Sequence, residues 1–140
     1  QRVEVQPGDF LVIYTGLDEI ILGTPPGGDP MPIVTSCAAL DGRDERLLQW
    51  ITDSGIAAIC TDTLGVESVG FDPRAHAHES WLPLHVHCLF KLGIHLGEMW
   101  YLKSLADWLW ERKRNAFLLT APPLRLPGAV GSPVTPIALV

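Results

Sequence analysis

The stretch Phe10-Leu-Val-Ile-Tyr-Thr15 constrains this chain more than any other part of it. It has no polar alternation, so it predicts a strand covered on both faces, the pattern of parallel α/β sheets. Pro7-Gly8-Asp9 sets a turn before it, and the strand is expected near residues 10–15. Ile56 to Cys60 repeats the pattern and predicts a second buried strand near 56–61. Phe117-Leu-Leu-Thr120 and Ile137-Ala-Leu-Val140 predict two more, near 117–120 and 136–140.

Helical periods lie between these runs. Asp41 or Asp44 can cap a helix near 44–54, with Leu47, Trp50 and Ile51 on its apolar side and Gly55 as its stop. Pro83 suits the first turn of a helix over 83–92. Leu102, Leu105, Ala106 and Leu109 form a stripe for a helix over 100–114, whose basic end Arg112-Lys-Arg114 suits the helix dipole. Residues 23–32 carry four prolines and three glycines and read as a loop, and 63–80 as irregular. The alternation of strands and helices places the chain in the α/β class.

Its composition excludes several functions. Apolar residues make up 47% of the 140 and charged ones 19%, enough for a core and too little charge for a disordered chain. A net charge of −6 argues against nucleic acid as a partner, because phosphate binding needs clustered Lys and Arg. No apolar stretch reaches the roughly 18–20 residues of a membrane span. Cys37, Cys60 and Cys88 are odd in number, with no C-x-x-C pair, and read as reduced thiols of a cytoplasmic protein. There is no G-x-S-x-G elbow, no G-x-G-x-x-G and no Walker loop. The opening Gln-Arg-Val-Glu-Val has neither an initiating Met nor a signal peptide, and the expectation is a portion of a longer chain.

Five histidines between 76 and 95 form the one constellation with metal-binding chemistry. On a helix over 83–92, His85, Leu89 and Leu92 share one side, which points His85 inward. His87 lies roughly 200° around the same helix, beside Lys91 and outward, so the two cannot ligate one metal from this helix. Glu98 sits in the apolar run Gly93-Ile-His-Leu-Gly-Glu-Met-Trp100, where a carboxylate is costly unless paired or metal-bound. An imidazole and a carboxylate are an ordinary ligand pair for zinc or manganese. The competing readings are a hydrogen-bonded core histidine for His85 and a helix-start carboxylate for Glu98. Asp62 stands just past the second strand, either capping a turn or facing a strand-end site. His76 and His78 could clamp a metal from an extended segment, or simply solvate a loop.

Four stretches carry a family resemblance. Pro7-Gly-Asp-Phe-Leu-Val-Ile-Tyr-Thr-Gly16 resembles a "pGD…TG" strand, and Gly55-Ile-Ala-Ala-Ile-Cys-Thr-Asp-Thr63 a "G-I-x-x-h-G-x-D-T" strand with Cys60 in place of glycine. Leu84-His85 through Gly97-Glu98 resembles an "H…G…E" segment, and Gly131-Ser-Pro-Val-Thr-Pro-Ile-Ala138 a closing "GSPVRP-h-A" strand with Thr135 in the arginine position. Together, and in this order, they resemble the C-terminal half of the cyclase family of metal-dependent hydrolases, which includes bacterial kynurenine formamidase and isatin hydrolase.

The resemblance implies a β/β/α swivelling-type α/β fold, present in part, with 1–140 as the C-terminal portion of one metal-hydrolase domain. It implies a divalent metal, zinc or manganese, bound in part by His85 and Glu98, and a small-molecule amide, formyl-amide, lactam or lactone as substrate. It also implies a homo-oligomer and gives Asp62 a place at the strand end without a role. The family's H-x-G-T-H-x-D-x-x-x-H signature, which holds most ligands and the catalytic base, has no match in this sequence. With two ligand candidates where a catalytic metal needs about three, this chain alone is expected to hold metal poorly and to turn over nothing. A non-catalytic binding or scaffold module with the same fold is the alternative.

Overall fold

The computed structural model describes residues 3–68 and 80–140. Two compact units divide the chain, Arg2–Lys103 and, apart from Gln1, Ser104–Val140.

The first unit is built on three parallel strands in the order β1 (Phe10–Ile13), β2 (Ala58–Thr61), β3 (His95–Gly97). Phe10 pairs with Ala58 and Ile13 with Thr61, while Ala58 pairs with His95 and Cys60 with Gly97. Three helices, α1 (Leu17–Gly23), α2 (Met31–Ser36) and α3 (Glu45–Ser54), lie between β1 and β2. A fourth, α4 (Pro83–His85), runs on as a π-helical segment over Val86–Leu92 before β3.

All four residues of β2 are buried, as its apolar run predicts. β1 differs from expectation. Phe10 is 43% exposed and the other three residues are half-buried, and among the described residues β2 is the one strand paired with β1. Beneath the sheet, Ile51, Ile56, Ile59, Val66, Leu84, Cys88 and Ile94 form the core, with Leu11, Ile13, Leu47 and Leu48 packed against it. Each wholly buried Ile or Leu here contributes about 1.5–3 kcal/mol. In α3, Asp44 caps Arg46 N and Leu47 N, and Gly55 ends the helix at φ 66°. Its inward residues are Leu47, Leu48 and Ile51, whereas Trp50, expected on that side, is exposed.

The expected stripe His85–Leu89–Leu92 is corrected by the same geometry. Over 86–92 the helix is wound with i→i+5 bonds, which change the phase assumed for a 3.6-residue turn. Leu84 and Cys88 therefore point into the core, while Leu89, Phe90 and Leu92 are exposed.

In the second unit, α5 (Lys103–Glu111) leads to an antiparallel ribbon of β4 (Leu118–Thr120) and β5 (Ile137–Leu139). Arg112 and Arg114 place their guanidinium carbons 4.3 and 5.3 Å from the centre of the Trp108 ring. The Trp-rich segment is covered unevenly: Trp100 is buried and Trp110 exposed. Among the described residues, no helix is long and apolar enough to cross a membrane. The mixed architecture, a parallel sheet with an antiparallel ribbon, is α/β.

Candidate metal centre

Three buried acidic side chains shape the carboxyl edge of the parallel sheet, where ligands of open α/β folds gather. The first is Asp62, one residue beyond β2 and without solvent exposure. Parallel pairing brings the exit of β1 beside it. Its Oδ1 accepts Thr15 N and Thr15 Oγ1, both at 2.9 Å, and its Oδ2 accepts Gly16 N at 2.7 Å and Leu17 N at 2.8 Å. Gly16, the N-cap of α1, has no side chain with which to cap, so Asp62 does it from the neighbouring strand. Both of its oxygens are thus engaged at the start of α1 rather than in the turn that follows Asp62. The second is Asp18, whose Oδ2 accepts Leu102 N at 2.7 Å and Lys103 N at 2.8 Å.

Glu67 is the third. Its backbone is pinned beside Leu40, with Leu40 N donating to Val66 O and Ser68 N to Leu40 O, both at 2.9 Å. Its carboxyl group accepts Leu84 N at 2.9 Å and His85 N at 2.8 Å, the amides of the second and third residues of the helix that begins at Pro83. Leu82 precedes that helix and has no capping group, so the cap comes from 17 and 18 residues upstream. Gly42 gives Glu67 its room. A Cβ at 42 would overlap Glu67 Oε2 and stand 3.0 Å from Leu84 N. Gly42→Ala is therefore expected to cost about 1–3 kcal/mol by overpacking. Urea unfolding checks this, and an unchanged midpoint would mean the Glu67 carboxyl lies elsewhere.

His85 and Glu98 meet above this floor. His85 Nδ1 lies 2.7 Å from Glu67 Oε1, and His85 Nε2 lies 3.3 Å from Glu98 Oε1. Glu98 follows β3 directly, and Met99 N and Trp100 N fix the turn by donating to Thr63 O at 2.9 Å and Thr61 O at 3.0 Å. Its Oε1 also accepts Val66 N at 2.8 Å. Glu98 is therefore paired, as its apolar surroundings require, and stands apart from the start of α5 at Lys103. Gly97 matters next to it: a Cβ there would come within 2.8 Å of the Trp100 ring and 3.0 Å of Cys60 Sγ. The larger residue at 60, where the resemblance has glycine, is housed against that glycine.

His87 turns to α3, with Nε2 at 2.9 Å from Thr52 Oγ1. His95 is exposed on β3. His76 and His78 lie outside the described residues. The two buried thiols are poor nucleophiles. Burial pushes Cys60 up to about 12 against an opposing hydrogen bond from Gly97, and burial and the nearby Glu67 push Cys88 up to about 11.

Two bonds of about 2.0–2.2 Å at a tetrahedral centre separate their ligand atoms by roughly 3.4 Å. The 3.3 Å between His85 Nε2 and Glu98 Oε1 fits that spacing, and one imidazole nitrogen with one carboxylate oxygen is a donor set suited to zinc or manganese. Among the described residues no group of three or more His, Cys, Asp and Glu is placed to hold a metal, so further donors would be needed for a complete shell. Sequence reasoning missed Glu67. Its signal was the one used for Glu98, a carboxylate beside buried apolar residues, but its partners are far along the chain.

No family model and no curated protein matches this sequence. A crystal structure described as that of a novel cyclase is 34% identical to it, with a TM-score of 0.75, over 99% of this chain. This chain spans 42% of that protein's length. Along nearly its whole length, therefore, the chain is similar in sequence and in fold to part of a cyclase.

Proposed function

We propose that this chain is part of a cyclase-family metal-dependent hydrolase, in which His85 and Glu98 contribute two ligands to zinc or manganese. The observation that carries the reading is the 3.3 Å approach of His85 Nε2 to Glu98 Oε1 at the carboxyl edge of the sheet. The similarity to a cyclase supports it. A bound cation of this kind lowers the pKa of water toward neutrality and polarises a carbonyl, the chemistry needed to open an amide, formyl-amide, lactam or lactone. The chain's own contribution is placement. The amide of Val66 holds Glu98 Oε1 on the side of His85, and the backbone bonds of Met99 and Trp100 keep residue 98 against the end of β2. His87, tied to Thr52, is outside this centre.

Titrating the chain with Mn²⁺ tests the proposal through paramagnetic broadening of amide signals. Broadening is expected to centre on His85, Glu98 and Val66. His85→Ala and Glu98→Ala should each weaken binding by more than about tenfold, the lower figure for loss of even an outer-shell partner. His87→Ala should leave binding unchanged. If His87→Ala were the damaging substitution, the assignment of His85 would be wrong. In the complete enzyme the first two substitutions are expected to lower metal content and hydrolytic rate together.

A further inference from the structure

We propose that Glu67 is a positioning residue for His85, fixing the imidazole as the Nδ1–H tautomer with Nε2 facing Glu98. This deepens the metal-centre reading and rests on it for its purpose, though the bond from Nδ1 to Glu67 is a property of the metal-free chain. Glu67 Oε2 already accepts Leu84 N and Oε1 accepts His85 N, so a carboxylate at this position completes its set by accepting a third N–H from the imidazole. With Nδ1–H donated at 2.7 Å, Nε2 is the nitrogen turned away from Glu67 and toward Glu98, where a cation between the two would take its lone pair. Backbone and ring of His85 are then held by one group, which leaves the side chain little freedom to rotate. The surroundings act in the same direction. The Glu67 side chain is wholly buried, whereas those of His85 and Glu98 are 22% and 32% exposed, so the fixed nitrogen lies inward and the ligating one on the open side. Metal-ligating histidines commonly donate their second N–H to a carboxylate in this way, and losing that partner weakens metal binding by about 10–100-fold.

The test uses the whole chain, labelled with ¹⁵N in its histidines, free of metal and above the ordinary titration range of imidazole. Long-range ¹H–¹⁵N spectra should show His85 with its Nδ1 protonated. A ring protonated on Nε2 alone would overturn the proposal. Glu67→Gln retains an oxygen able to accept Nδ1–H and should keep the tautomer. Glu67→Ala should release it into a mixture of tautomers and weaken Zn²⁺ binding by about 10–100-fold. Should Glu67→Ala fail to fold, the wild-type and Glu67→Gln spectra still decide the matter. A folded Glu67→Ala protein with an unchanged tautomer would sink it. Zn²⁺ binding that Glu98→Ala leaves unchanged would instead count against the metal-centre reading, leaving the His85–Glu67 bond to stand or fall on the metal-free spectrum.

Discussion

Replacing Asp62 with alanine is expected to destabilise the protein by about 3–5 kcal/mol. The substitution strips an acceptor from Thr15 N, Thr15 Oγ1, Gly16 N and Leu17 N in one step. A buried donor left without a partner costs about 1–3 kcal/mol, and water entering the vacated space would satisfy part of the set. Against a typical domain stability of 5–15 kcal/mol the loss is large. Asp62→Asn keeps one acceptor oxygen and should fall between wild type and alanine. Urea unfolding measures both. A loss below about 1 kcal/mol for Asp62→Ala would show that the start of α1 does not depend on this side chain. Asp62→Asn with normal stability but altered ligand binding would return Asp62 to the strand-end site role.

The second large effect is alkaline destabilisation. Burial raises the thiols of Cys60 and Cys88 from 9.0 to about 12 and about 11 in the folded chain. Above pH 9.0 the unfolded chain sheds these two protons while the native chain keeps them. The native state then binds more protons, so stability falls as pH rises. Below that range the two states bind the same number and the effect vanishes. Each thiol contributes a slope of up to about 1.4 kcal/mol per pH unit, so the pair removes several kcal/mol by about pH 11. Urea midpoints across this range should decline less steeply for the double substitution Cys60→Ala/Cys88→Ala, in which tyrosine and lysine titrate as before. Equal slopes in the two proteins would sink the idea.

What the sequence disclosed, and what it withheld, follows the range of the interactions involved. Strands β1, β2, β4 and β5 and helix α3 are written in local runs, caps and stops, and each lies within a few residues of its expected position. Helix α1 was not legible because Gly16 gives no local start signal and its cap, Asp62, lies 44–47 residues away. Helix α2 is embedded in a proline-rich stretch that reads as loop, with proline at its cap and in its first turn. β3 has three residues, two of them His95 and Gly97, too few for a period. The winding of 86–92 misled the phase argument for Leu89 and Leu92. That His85 and Glu98 approach each other was legible from chemistry and resemblance together. Glu67 was not, because nothing near it in the chain shows what it holds.

The remote caps also bear on how the chain comes to its folded state. A helix of seven residues such as α1 is far too short to persist alone in water. Its amides meet Asp62 only after a loop of more than forty residues has closed, and the amides of Leu102 and Lys103 meet Asp18 only after 84 and 85 residues. Such contacts raise the contact order, delaying their stabilisation until the entropy of closing the loop has been overcome. For α1, local helix formation therefore cannot lead. The pairing of β1 with β2 is what brings Asp62 to the amides of α1, so that helix start becomes ordered with the sheet rather than before it.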